Sequence, residues 1–425
     1  MVKKGYKQTE IGVIPENWEV NSIQSVVTSY RTGGNYKNSP EVTESPVIKM
    51  GNLSRGYFSF HKIEYVTRDV IPNPVDRLQY GDVLFNTRNT PELVGKTAVW
   101  RNELSCAYYN LNLLRFEFDP KRMEPFFFNS ILNTKEAIAE LKNIAKGTTS
   151  VAAIYPQDLM NVKIPIPPIS EQRRIAKAIT EMDDLIGLLE KQCSKKKSIK
   201  QGTMQELLTG KRRLPGFFGE WQSFVFGYLF DFIPNNAFTR AQMDVSGRVK
   251  NIHYGDILTK YGAYISADSK DIPYIAKEID LSRFSEKCYL QSGDLVIADT
   301  AEDETVGKAL EVINVECPVL AGQHTLLCRP KVRFAEKFLG YYLNAACYHD
   351  QMLPYIVGTK VSSVSKASIA QTKLVVPKYE EQQAISSILA DMDDEITELE
   401  QKLAKYRQVK QGMMQQLLTG KIRLV

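Results

Sequence analysis

Residues Glu171–Leu214 and Glu381–Leu424 are one segment written twice, 210 positions apart and without a gap, with 22 of 44 aligned pairs identical. Gln201–Leu214 and Gln411–Leu424 share the block Gln-Gly-x-Met-Gln-x-Leu-Leu-Thr-Gly-Lys-x-Arg-Leu. A duplication of this length fixes the architecture before any motif is sought. The chain is two copies of one unit, which implies a pseudo-two-fold molecule meeting something two-sided.

Both copies read as long helices. Ile175, Ile179, Met182, Ile186, Leu189 and Cys193 follow alternating spacings of four and three. Ile385, Leu389, Met392, Ile396, Leu399, Leu403 and Tyr406 repeat that pattern. This is the a/d seam of a coiled coil. Prolines (Pro165, Pro167, Pro168; Pro377) stand upstream, Ser170 suits an N-cap, and Gly210 and Gly420 suit C-terminal stops. A long helix with one apolar stripe needs a partner, and the other copy is the obvious one. The expected pairing is antiparallel, with Ile175–Cys193 against Ile385–Leu403. Gly202 and Gly412 interrupt both helices at equivalent positions. An interior Gly costs about 1 kcal/mol, so its repetition suggests close backbone approach to another helix or chain.

The remaining sequence is rich in short β-prone runs and turn residues. The expected organisation is α+β: a globule over residues 1–168, a helix over 169–213, a second globule over 214–377 and a second helix over 378–425. The globules diverge but share an outline. Gly81-Asp82-Val83-Leu84-Phe85 answers to Gly293-Asp294-Leu295-Val296-Ile297, Gly95-Lys96 to Gly307-Lys308, and Gly147-Thr148 to Gly358-Thr359. Whatever the helices do is done the same way twice; whatever the globules do is done differently.

At 425 residues the chain has room for several domains. No run of 18 apolar residues predicts a membrane span, and the polar first ten residues predict no secretory signal. An intracellular, cytoplasmic location is expected. The six scattered cysteines form no CxxC pair and read as reduced thiols, while the four isolated histidines build no zinc site. Net charge is +5, and Glu171–Leu214 alone holds eleven Lys/Arg against six Asp/Glu. Its basic clusters are either a solvated helix face or a surface for phosphate or an acidic partner.

Catalytic signatures are missing. There is no Gly-rich cofactor loop after a first strand and no Asn/Asp-Pro-Pro-aromatic element. Gly95-Lys96-Thr97 resembles the end of a phosphate-binding loop, but Thr90 stands where the leading Gly belongs. Glu140-Leu141-Lys142 and Glu400-Gln401-Lys402 are nuclease-like triplets without an upstream partner Asp. A non-catalytic chain is expected.

Two divergent globules alternating with two near-identical helices resemble the specificity subunit of Type I restriction-modification systems. The resemblance covers the whole chain. It rests on Ile164-Pro165-Ile166-Pro167-Pro168-Ile169-Ser170-Glu171-Gln172 leading into a helix and Leu207-Leu208-Thr209-Gly210-Lys211 ending it, with their repeats at Val376–Gln382 and Leu417–Lys421. The openings Thr9–Trp18 and Leu214–Trp221 also look like the family's domain starts. The second helix departs from the pattern, with Lys378-Tyr379-Glu380 in place of the double Pro and Ser.

The resemblance implies that each globule is a target recognition domain reading one half of a bipartite site on double-stranded DNA. The helices would set the spacing and dock two modification subunits, to which motor-nuclease restriction subunits attach. S-adenosylmethionine, ATP and Mg would then belong to those partners, with no cofactor or metal in this chain and no membrane involved. Candidate DNA contacts in the first globule are Arg31, Thr32, Asn35, Lys37, Arg88, Lys96, Thr148, Thr149 and Ser150. In the second they are Asn235, Asn236, Arg240, Lys308, Thr359, Lys360, Ser362 and Ser363. Arg can pair bidentately with guanine and Asn with adenine. Each of these is otherwise an ordinary solvated loop residue. Two other readings stand beside this one: a coiled-coil scaffold whose globules bind protein, and a remnant of a fused restriction-methylation enzyme.

Overall fold

The structure is a computed structural model that describes residues 3–148, 150–358 and 360–424. It is α+β, with many short strands, several short helices and two helices of 39 residues each, Ile169–Leu207 and Tyr379–Leu417. Packing groups the chain into two compact units: Met1–Glu190 with Lys402–Val425, and Lys191–Gln401. Each unit joins one globule to a part of both long helices.

The first unit is built on an antiparallel sheet ordered Thr97–Val99, Val83–Asn86, Leu113–Phe118, Val27–Thr32. Three of these strands are wholly or mostly buried apolar runs, as a sheet covered on both faces requires. A second sheet, ordered Tyr108–Tyr109, Pro46–Ile48, Glu64–Val66, Asn38–Ser39, contains one parallel pair, Tyr108-Tyr109 beside Val47-Ile48. A small ribbon joins Lys146–Gly147, Ala152–Ala153 and Arg88–Asn89.

The second unit repeats this plan. Its main sheet runs Phe230–Ile233, Thr325–Pro330, Leu295–Ala298, Ala309–Ile313 and adds a parallel edge strand, Tyr264–Ser266. Its second sheet again holds one parallel pair, Lys250–Ile252 beside Val319–Ala321. Thr300–Ala301 pairs with Ser362–Ser363 as the counterpart ribbon. The hairpin Tyr6–Thr9/Gly12–Pro15 at the start of the first unit precedes the repeated plan.

The helix seam divides between the two cores. In the first unit Ile175 and Ile179 pack with Leu417, Leu418, Met413 and Met414 against Trp18, Phe127 and Phe128. In the second, Ile385 and Leu389 pack with Leu207, Leu208 and Met204 against Phe226 and Tyr341. Ile186, Leu189, Ile396 and Leu403 are buried, while Met182, Met392 and Leu399 are half-buried. Pairing within each unit is antiparallel: Asp183 meets Lys410 and Glu190 meets Arg407 in one, Lys200 meets Asp393 and Lys196 meets Glu395 in the other.

This corrects the expected register. Ile175 does not lie against the Ile385–Leu403 seam but against the end of the second helix, because burying Leu417 and Leu418 with a globule draws that end to the start of the first helix. Ser170 is likewise no cap, since the helix already runs from Ile169. Gly210 and Gly420 do follow the helix ends, with φ of 69° and 70°, the left-handed value a C-terminal stop needs.

A duplicated lock closes each unit. Trp18 Nε1 donates to Glu171 at 3.0 Å, and Arg423 donates to both Glu171 oxygens at 2.6 and 2.7 Å. In the second unit Arg213 holds Glu381 in the same way at 2.6 and 2.8 Å. Glu171 and Glu381 are buried, so each needs a fixed cationic partner.

Candidate nucleic-acid interface

In each unit the main sheet gathers polar segments at one of its ends. In the first unit Asn86 pairs with Leu113, so the residues that leave one strand and enter the next face each other. Thr87 N donates to Asn112 O at 3.4 Å, and Ile154 N donates to Thr87 O at 2.9 Å. These bonds, with the pairing of Thr32 to Leu114, bring four segments to the sheet end: Arg31-Thr32, Thr87–Asn89, Asn110–Asn112 and the ribbon of Lys146–Gly147 with Ala152–Ala153. Gly33 allows that convergence, since a Cβ there would lie 2.0 Å from Tyr109 O.

The same end forms in the second unit. Ala298 pairs with Thr325, Asp299 N donates to His324 O at 3.2 Å, and Val364 N donates to Asp299 O at 2.9 Å. Gly147 and Gly358 occupy matching turns, with a Cβ 2.1 Å from Val151 O and 2.0 Å from Val361 O respectively. Only glycine fits there, which accounts for the recurrence of the glycine in two otherwise divergent globules.

Side by side, the first-globule candidates differ in availability. Arg88, Thr32, Asn35, Thr148 and Ser150 are exposed, and Arg88 enters no ion pair among the described residues. Arg31 is part-committed: its guanidinium holds the buried Asp76 at 2.9 Å while the side chain stays 37% exposed. Tyr36 Oη donates to the same carboxylate at 2.5 Å, and burial together with that bond pushes its hydroxyl up to about 12. Lys37 pairs with the exposed Asp69, both just outside the strands of the second sheet. Lys96 lies at the sheet end but is half-buried, and burial lowers its pKa. Thr149 lies outside the described residues.

In the second globule the fold claims more of the candidates. Asn236 is only 4% exposed; its amide donates to Asn251 Oδ1 and Ala321 O, and its oxygen accepts from Phe238 N. It is an interior strut, not a contact. Asn235 donates to Gly322 O and Thr325 O. Lys308 donates to Leu258 O and Tyr261 O, finishing the helix Tyr254–Thr259, with burial lowering its pKa. Arg240 and Lys260 neutralise the fully buried Asp256, yet Arg240 stays 52% exposed. Lys360 and Ser363 are exposed and Ser362 is half-buried. Thr359 lies outside the described residues.

Sequence reasoning missed Asn112, which the strand register brings beside Thr87-Arg88 in the first unit, and Thr300 and His324, which it brings beside Ser363 in the second. No local signal marks them; each is a single polar residue next to a strand. Among the described residues, no three His, Cys, Asp or Glu side chains cluster as a metal site, and no helix is long and apolar enough to cross a membrane.

Comparison with known proteins places this arrangement in context. Residues 15–200 and 249–410 match the family described as the Type I restriction modification DNA specificity domain. The chain is 27% identical over 443 aligned residues to a Methanocaldococcus jannaschii protein provisionally named the MjaX specificity subunit of a type I restriction enzyme, covering 99% of this chain and 97% of that one. It is 23% identical to the MjaVIII specificity subunit of a type I restriction enzyme from the same organism, covering 97% and 94%. Among solved structures, the S subunit of a Type-I restriction-modification system from M. genitalium superposes with a TM-score of 0.58 at 14% identity, covering 94% of this chain and 96% of that one. A chain from a study of complex assembly and conformational transition of the type I R-M system superposes with a TM-score of 0.54 at 16% identity, covering 96% and 99%. Both share the fold.

Proposed function

This chain belongs to the Type I restriction modification DNA specificity family, and from that membership we propose that each globular unit reads one half of a bipartite DNA site. The observation that carries the reading is the repeated sheet end. One scaffold, drawn together by the same backbone bonds, presents different polar side chains in the two units. Sequence is read by side chains at base edges, so different half-sites require different side chains on a common frame.

The helices carry the second part of the proposal. Leu207, Leu208, Leu417 and Leu418 are identical between copies because they fill the two cores. Gln201, Gly202 and Gln205 are identical to Gln411, Gly412 and Gln415, yet all six are exposed. A Cβ on Gly202 or Gly412 would meet nothing within 4 Å. Folding of this chain does not explain that duplicated surface; two copies of one partner helix would. We assign it to docking of two modification subunits. Those partners, with the restriction subunits, would bring S-adenosylmethionine, ATP and Mg, and this chain would act in the cytoplasm without catalysing methyl transfer or cleavage itself.

The test is a domain exchange. Met1–Pro168 is replaced by the equivalent segment of a related specificity subunit, and methylated positions are mapped in cells carrying the partner subunits. One half of the methylated motif should change while the other stays. A change in both halves would refute the modular reading.

A further inference from the structure

Resting on the half-site reading above, we infer that His324 is a base-reading, specificity-determining residue of the second unit, and that Asn112 holds the corresponding place in the first. The equivalence comes from strand register. Asn86 pairs with Leu113 in one unit and Ala298 with Thr325 in the other. The residue before each incoming strand is therefore Asn112 or His324, and the residue after each outgoing strand is Thr87 or Asp299. The same backbone bond then joins them, Thr87 N to Asn112 O and Asp299 N to His324 O. The neighbouring ribbon position is Arg88 in one unit and Thr300 in the other, paired with Ala153 and Ser363.

His324 is built into place. Its φ is +55°, one of four non-glycine positive values among the described residues. An ordinary residue at this position costs backbone energy that glycine would avoid. The turn is clamped on both sides: Asn235 donates to Gly322 O at 3.1 Å and to Thr325 O at 2.5 Å, and Thr325 Oγ1 donates to Gly322 O at 2.6 Å. The imidazole packs edge-on to Tyr254 at 5.2 Å, its Nδ1 lies 3.5 Å from Thr300 Oγ1 and 3.8 Å from Asp299 Oδ1, its Nε2 lies 3.2 Å from the neighbouring Gln323 Nε2, and the side chain remains 45% exposed. A positive-φ backbone, a braced turn and a ring that stays 45% exposed, with its polar neighbours Thr300 and Gln323 beside it, describe a polar cluster fixed in place for an external hydrogen-bonding partner. A base edge in the major groove offers that pairing. Arg88 and Asn112 in the first unit, against Thr300 and His324 in the second, supply different donor and acceptor sets at one address.

The experiment uses the whole chain assembled with its modification subunits, with wild type, His324→Gly and Asn112→Ala compared by mapping every methylated site. Glycine removes the imidazole and accepts the positive φ, so His324→Gly should melt no lower than wild type. It should broaden one base position in one half of the motif, with about ten-fold or greater loss of discrimination there. The other half should be unchanged, and Asn112→Ala should broaden a position in that other half. An unchanged motif at full methylation for His324→Gly would overturn the assignment while leaving the half-site reading intact. Loss of both halves together would overturn it as well, since the residue would then act through the fold. A wild-type motif that is not bipartite would sink the half-site reading and this inference with it.

Discussion

At the scale of single residues, the two units show how much polar chemistry the fold spends on itself. Asn236 and Lys308 look like contacts in the sequence and are struts in the structure, because their partners, Asn251, Ala321 and the carbonyls of Leu258 and Tyr261, come from other strands and turns. His324 shows the reverse. Nothing around it in sequence marks it, and only the pairing of Ala298 with Thr325 brings it beside Thr300. Glu311 is spent in a third way. It is 2% exposed, accepts from Lys337 N at 2.7 Å and Gly340 N at 2.9 Å, and burial pushes its carboxyl up to about 7 from an ordinary 4.5. The folded state therefore binds its proton more tightly than the unfolded state. That stability is fully present below about pH 4.5 and is lost as pH rises to about 7, on the order of 3 kcal/mol in all. Gln mimics the protonated acid and does not titrate. Urea unfolding of wild type and Glu311→Gln across this range should show wild type losing ground to the variant by about that amount. A constant difference between the two would mean that Glu311 is ordinarily solvated.

At the scale of elements, the long helices were legible and their mutual register was not. Seven-residue periodicity marked Ile175 to Leu189 and Ile385 to Leu403 as seams, and the prolines and glycines marked their ends. Two nearly identical seams, however, fit one another in several offsets. The choice is made by contacts that periodicity does not encode: Leu417 and Leu418 must reach the core around Trp18 and Phe127, and Asp183 must meet Lys410. The same long-range dependence hid the sheet ends, since strand order is not local information. Gly202 and Gly412 separate the intrinsic cost of a helix from its use. Open space surrounds both, so Gly202→Ala with Gly412→Ala should raise stability by up to about 1 kcal/mol per site. The matching Leu substitutions should leave the isolated chain folded but weaken its complex with the modification subunits, read by co-purification. Unimpaired assembly of the Leu variant would remove these glycines from the docking surface.

At the scale of the whole molecule, the proposed spacing role falls to the two long helices, which both units share. Packing changes over between Glu190 and Lys191 in one helix and between Gln401 and Lys402 in the other. Insertions at those two points leave the contacts inside each unit as they are. A four-residue insertion would break the seam's phase, whereas a full heptad keeps it. Seven residues add about 10 Å to a helix with about 20° of residual rotation. On duplex DNA that length is about three base pairs, at roughly 3.4 Å each. If the paired helices set the gap between half-sites, matched heptads after Glu190 and Gln401 should leave both half-site sequences intact and widen the gap between them by about three bases. Mapping the methylated motif of that variant, in complex with its modification subunits, reads the gap directly. A variant that methylates efficiently at the original spacing would show that the distance between half-sites is set elsewhere, by the partners or by bending of the DNA.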